Sequence, residues 1–154
     1  MAIQSAGLLM CRKISGKQEF FLVHPGGPYY VKKNEGVWSI PKGIADNNED
    51  LLAAAQREFH EETGLSSSPP FHDLGTIKTK GGKIVHAWCF AGAWDESSQP
   101  IVSNTFPMEW PPHSGKYINV AEVDRAAWLG FEQAARLINP QQLPFLERAH
   151  AIYS

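Results

Sequence analysis

The sequence predicts a layered sandwich of sheet and helices, α/β or α+β in class, in one domain spanning residues 1–154. Three observations lead there. Two apolar runs of strand character open the chain, one helix rich in alanine and leucine sits in the middle, and two helical stretches close it. Residues 5–13 (SAGLLMCRK) and 19–24 (EFFLVH) read as strands about a turn at Ser15-Gly16-Lys17. Pro25-Gly26-Gly27-Pro28 reads as a loop, and residues 37–40 form a short apolar run stopped by Pro41 and Gly43. Residues 51–59 lack β-branched side chains and are expected to be helical. Asn47 or Asn48 is placed to cap that helix, with Glu49 and Asp50 at its positive end. Gly64 stands where a left-handed C-terminal cap belongs. Residues 74–80 and 84–94 predict a hairpin about Gly81-Gly82. The polar, proline-rich stretch 97–115 predicts a long loop. Residues 131–138 and 143–152 predict two helices parted by Asn139-Pro140.

Composition narrows the function classes. With 14 basic and 16 acidic residues the formal net charge is −2, so stable nucleic-acid binding is not expected. Attraction for an anionic ligand must come from a local patch or a bound cation. Cys11 and Cys89 lie inside apolar runs and are expected to be buried thiols rather than a disulfide. No apolar stretch is long enough to span a bilayer and no basic leader precedes an apolar segment, which predicts a cytoplasmic protein without membrane contact. The six histidines show no zinc-ligand spacing.

Residues 43–65 (GIADNNEDLLAAAQREFHEETGL) carry the chemistry. On a helix, Glu58, Glu61 and Glu62 share one face, where three carboxylates repel one another. One reading is a solvated acidic face. The other is a site for a hard divalent cation, Mg²⁺ or Mn²⁺, which prefers carboxylate oxygen and water. Leu51, Leu52, Ala55 and Phe59 supply the apolar side.

The spacing of Gly43, Glu49, Arg57-Glu58-Phe59, Glu61-Glu62 and Gly64-Leu65 resembles the Nudix box at every defined position. The resemblance implies an α/β/α sandwich with a mixed sheet, in which the box forms loop–helix–loop. It implies that Glu58, Glu61 and Glu62 ligate metal, that the Gly43 carbonyl adds a ligand, and that Arg57 and Glu49 pair to orient the ligand helix. The family reaction is attack of water on a diphosphate. A carboxylate must take the proton from that water: a box glutamate, or Glu109 in the stretch 104–112 (NTFPMEWPP).

The lead-in Trp38-Ser39-Ile40-Pro41-Lys42-Gly43 is similar to the W-x-x-P-K-G of asymmetrical diadenosine tetraphosphate hydrolases, which makes Lys42 a candidate phosphate contact. Lys83 opens a second echo, K-x-V-x-Y-[W/F], in which Ala87 replaces the tyrosine. Tyr30 and Trp110, with Tyr29, are candidate base-stacking side chains. The expected substrate is therefore a nucleoside or dinucleoside polyphosphate, handled by a monomer or homodimer. ADP-ribose, nucleotide sugars, oxidised nucleotides, RNA 5′ ends and diphosphoinositol polyphosphates are the alternatives. From another class, a non-catalytic nucleotide sensor would be expected to lose box glutamates, all of which are present.

Overall fold

The computed structural model describes residues 3–153. Two long strands, β1 (Gln4–Ile14) and β2 (Lys17–Pro25), pair antiparallel as the turn residues at 15–17 require. Strand β3 (Lys42–Ile44) pairs with the start of β1, and helix α1 (Leu51–Thr63) follows. Strands β4 (His72–Lys78) and β5 (Ile84–Ala91) form the expected hairpin, and β5 runs parallel to β1. Then come β6 (Thr105–Glu109), β7 (Tyr117–Ala121), β8 (Val123–Gly130), α2 (Phe131–Leu137) and α3 (Leu143–Tyr153), the last preceded by a 3-10 turn at Pro140–Gln142. The main sheet is mixed, ordered β4-β5-β1-β2-β8 with β3 also on β1.

Period-two alternation along β1 and β2 divides the core. Ala6, Leu8, Met10, Phe21 and Val23 face α1, burying Ala54, Ala55 and Phe59. Leu9, Cys11, Phe20 and Leu22 face the other way, against Ala134, Leu137, Phe145, Leu146 and Ala149. The central strands are apolar on both faces because both are covered, as in an α/β/α sandwich. Cys11 and Cys89 are free and buried. No helix among the described residues is long and apolar enough to cross a membrane.

Three expectations change. Asp50, not Asn47 or Asn48, caps α1: its carboxylate accepts from the Ala53 amide at 3.0 Å, while Asn48 takes a left-handed conformation (φ 65°) in the preceding turn. The stretch 97–115 is not all loop, because β6 pairs with β7 in a separate two-stranded ribbon. Pro107 masks that strand in the sequence; among the described residues the ribbon has no third strand that would need its missing amide. Of the two readings of the three glutamates, a wholly solvated acidic face fails at Glu62, which is buried.

Candidate active site

Helix α1 is anchored at both ends. Gly64 takes the left-handed conformation (φ 77°), and its amide donates to the His60 carbonyl at 2.7 Å. The Thr63 hydroxyl donates to Phe59 O at 2.6 Å and accepts from the Leu65 amide. His60 is exposed and turns to the Leu65 carbonyl, away from the acidic cluster. Burial of Phe59 and Ala55 against the sheet then sets which way the glutamates point.

Arg57 organises the outer half of the cluster. Its Nε and Nη2 donate to the two Glu49 oxygens at 2.9 and 3.0 Å, a bidentate pair. Its Nη1 donates to Glu58 at 3.0 Å and to both Glu61 oxygens at 3.2 Å. Glu49 also accepts from the Asp46 amide, so it ties the loop before α1 to the helix. The Arg57 hydrogen bond, aided by that amide, holds the Glu49 carboxyl down at about 2.

The inner half has less compensation. Glu62 is pushed up to about 8, first by burial and then by the charges of Glu58 and Glu122; Lys42 only partly offsets this. Burial and Glu61 likewise raise Glu58. Lys42 is driven down by burial and by Lys83, and it faces Glu62, Glu58 and Glu122. A cleft of about 190 Å³ lies where Lys42, Glu62 and Glu122 meet Pro25 and Ser39. Lys42, Ser39 and Pro25 also line an adjoining cavity of about 440 Å³, walled by Tyr30, Val37 and Gln142.

This site belongs to a recognisable lineage. The sequence model of the NUDIX domain matches residues 5–149. The chain belongs to the Nudix family. It is 38% identical over 66 residues to the asymmetrical bis(5′-nucleosyl)-tetraphosphatase of Caenorhabditis elegans, a match covering 43% of this chain and 44% of that protein. It is 29% identical to an RNA pyrophosphohydrolase of Mesorhizobium japonicum over 77% of this chain and 70% of that one. The chain thus spans less than half of the first relative's length. A crystal structure of the C. elegans Ap4A hydrolase superposes with a TM-score of 0.66 at 24% identity, covering 99% of this chain and 98% of that one. That likeness bears on the fold, which is the Nudix α/β/α sandwich.

Within the Nudix frame, the residues expected from sequence fall into two groups. Glu58, Glu61, Glu62, Arg57, Glu49, Gly43, Lys42 and Lys83 converge on one region. Tyr30 stands at the wall of the larger cavity beside Lys42. Glu109 does not join them. Its carboxylate accepts from the His113 and Gly115 amides at 3.2 and 3.1 Å, closing the loop of the β6–β7 ribbon. Trp110 packs edge-on against Tyr29 at 5.2 Å and does not line the cavity.

The carboxylate that does reach the cluster is Glu122, which the sequence reading left out of the site. It has no spacing relation to the box. Its only signal was an acidic residue just ahead of a strand. Pairing of β8 with β2 brings it opposite α1, and the Gly26 amide donates to its carbonyl at 3.1 Å.

The donor set fits a hard divalent cation. Carboxylate oxygens crowd with too few positive charges, and Gly43 lies so close to the Glu58 carboxylate that a β-carbon there would collide with it. Among the described residues, no three acidic, histidine or cysteine groups already surround one point. The reason is visible: Arg57 Nη1 draws Glu58 and Glu61 outward, while Glu62 accepts from the Lys42 backbone amide.

Proposed function

We propose that this Nudix protein is a divalent-metal-dependent hydrolase that cleaves a diphosphate linkage in a nucleoside or dinucleoside polyphosphate. The observation that carries the reading is the under-compensated group Glu58, Glu62 and Glu122 beside Lys42, at the mouth of a cavity large enough for a nucleoside. Glu58, Glu61, Glu62 and the Gly43 carbonyl would hold Mg²⁺ or Mn²⁺, with Glu122 as a further ligand or proton acceptor. When bound, the cation supplies charge neutralisation on the phosphates and lowers the pKa of the attacking water.

The remaining work falls to side chains. Lys42 and Lys83 bind phosphate oxygens as point charges. Arg57, held by Glu49 and donating to the Ile44 carbonyl at 3.3 Å, ties the helix face to β3. Glu122 or Glu58, both within the cluster, takes the proton as the phosphorus–oxygen bond forms. Tyr30, Val37 and Val85 line an apolar wall for the base. Similarity to a tetraphosphatase over 66 residues, and the resemblance of the W-x-x-P-K-G lead-in, favour a dinucleoside polyphosphate.

A Mg²⁺-dependent screen with chromatographic separation of products tests this. Its panel holds diadenosine tetraphosphate, ADP-ribose, nucleotide sugars, normal and oxidised nucleoside triphosphates and a 5′-triphosphate RNA. The expected result is preferred cleavage of diadenosine tetraphosphate to ATP and AMP. Preference for the RNA or for ADP-ribose would reject the substrate and retain the hydrolase. No turnover of any of them would reject both.

A further inference from the structure

His24 is wholly buried, near the end of β2, in a position that neither packing nor the chemistry above explains. Its Nδ1 faces Asp124 Oδ1 at 2.8 Å and its Nε2 faces the Lys33 carbonyl at 2.7 Å. Its ring meets Trp38 edge-on at 5.3 Å. These partners belong to three separate parts of the site. Asp124 lies two residues after Glu122 on β8. Trp38 begins the segment that delivers Lys42. Lys33 lies in residues 26–36, the loop that carries Tyr30 to the cavity wall.

That loop is otherwise tied at its two ends and by exposed side chains, with Tyr29 edge-on to Trp110 at 5.2 Å and Glu35 paired with Arg136 at 3.5 Å. Its start is clamped where the Gly26 amide meets the Glu122 carbonyl, so tightly that a β-carbon at Gly26 would strike Ala121 O. Its end is held by Trp38 Nε1 donating to Asn34 at 2.7 Å. Between them it folds on itself, with the Tyr30 amide on Gly27 O and the Lys33 amide on Tyr30 O. Tyr29, Tyr30 and Val31 are exposed, so burial does not fix them. The hydrogen bond from His24 to Lys33 ties the middle of the loop to the sheet.

We propose that His24 is a positioning residue for the nucleobase subsite: it locks residues 26–36, and with them Tyr30, over the cavity beside Lys42. The proposal rests on the substrate reading given above. Its role is separable from mere packing because an amide can replace either ring nitrogen. Glutamine places its Nε2 near the histidine Nε2 and keeps the donor to Lys33. Asparagine places its Nδ2 near the histidine Nδ1, keeps Asp124 and loses Lys33.

The test compares His24→Gln with His24→Asn by amide hydrogen exchange and by steady-state kinetics on diadenosine tetraphosphate. In the Asn variant, the Tyr30 and Lys33 amides should lose protection and KM should rise about tenfold, with kcat within about twofold of wild type. The Gln variant should resemble wild type in both. Equal protection, or equal KM, in the two variants overturns the proposal. If neither variant folds, Asp124→Ala, at a partly exposed position, leaves the Lys33 bond in place and should keep the loop protected, as the Gln variant does; loss of loop protection there overturns the proposal as well. A wild-type protein without turnover would reject the proposed function, while the exchange data would still decide the loop lock.

Discussion

Glu62 is the residue on which the site turns. Its folded-state pKa of about 8 lies above the ordinary carboxyl value near 4.5. Between those two pH values the folded, metal-free protein binds a proton that the unfolded chain does not. Its contribution to stability is therefore fully present below about 4.5 and is lost as pH rises toward about 8. Glu49 behaves in the opposite sense: its contribution is present above about 4.5 and is lost as pH falls toward about 2. Metal-free thermal unfolding should accordingly show Tm declining from pH 5 to pH 8, and millimolar Mg²⁺ should flatten that decline. A metal-free Tm independent of pH over this window would refute the crowding of Glu62. Glu62→Gln removes the uncompensated charge, so it should raise the metal-free Tm. The same change should lower turnover by more than about a hundredfold, because a neutral amide is a poor ligand for a hard cation. A variant that gains stability and keeps its rate would show that Glu62 is only an awkwardly buried acid.

At the scale of elements, α1 and β3 act as one unit. Gly43 on β3 leaves room only for the Glu58 carboxylate. Gly43→Ala should therefore displace Glu58 and cut turnover at least tenfold, a loss of about 1.4 kcal/mol or more in transition-state binding. Far-UV circular dichroism and kcat/KM together check this; full activity would mean that β3 can shift without cost. Asp50→Ala removes only the N-cap, so it should cost about 1 kcal/mol of stability with kcat near wild type. The helix itself was legible in the sequence because glutamate spacing, alanine content and Gly64 all agree on one period. The cap was not, because Asn47, Asn48 and Asp50 are all competent capping types and only the turn geometry chooses among them. The β6–β7 ribbon was hidden for a related reason: its strands are five residues each, Pro107 interrupts β6, and only Val120 among them is buried, so pairing leaves little trace in hydropathy.

Across the whole molecule, local spacing pointed to most of the proposed site and topology added Glu122. Glu58, Glu61 and Glu62 share one helix face by period, and the spacing of the whole box from Gly43 to Leu65 turned that face into a candidate site. Lys42 and Lys83 were readable from short motifs. Glu122 arrives from the junction of β7 and β8, 60 positions past Glu62 in the chain, placed by pairing of β8 with β2, and no short-range pattern encodes that. The same topology leaves Glu109 on the outlying ribbon, engaged with its own loop. Glu122→Gln should therefore depress kcat strongly while Glu109→Gln leaves it within about threefold, since Glu109 acts only on the ribbon loop. The reverse ranking would return the general base to the ribbon.

The most direct test of the central claim is the initial rate of diadenosine tetraphosphate hydrolysis measured across a Mg²⁺ titration, for the wild-type chain and Glu62→Gln side by side. Saturable, Mg²⁺-dependent turnover that requires Glu62 is the predicted result. A wild-type rate that does not respond to Mg²⁺ or Mn²⁺, or a Glu62→Gln protein with the same metal dependence and rate, would contradict it.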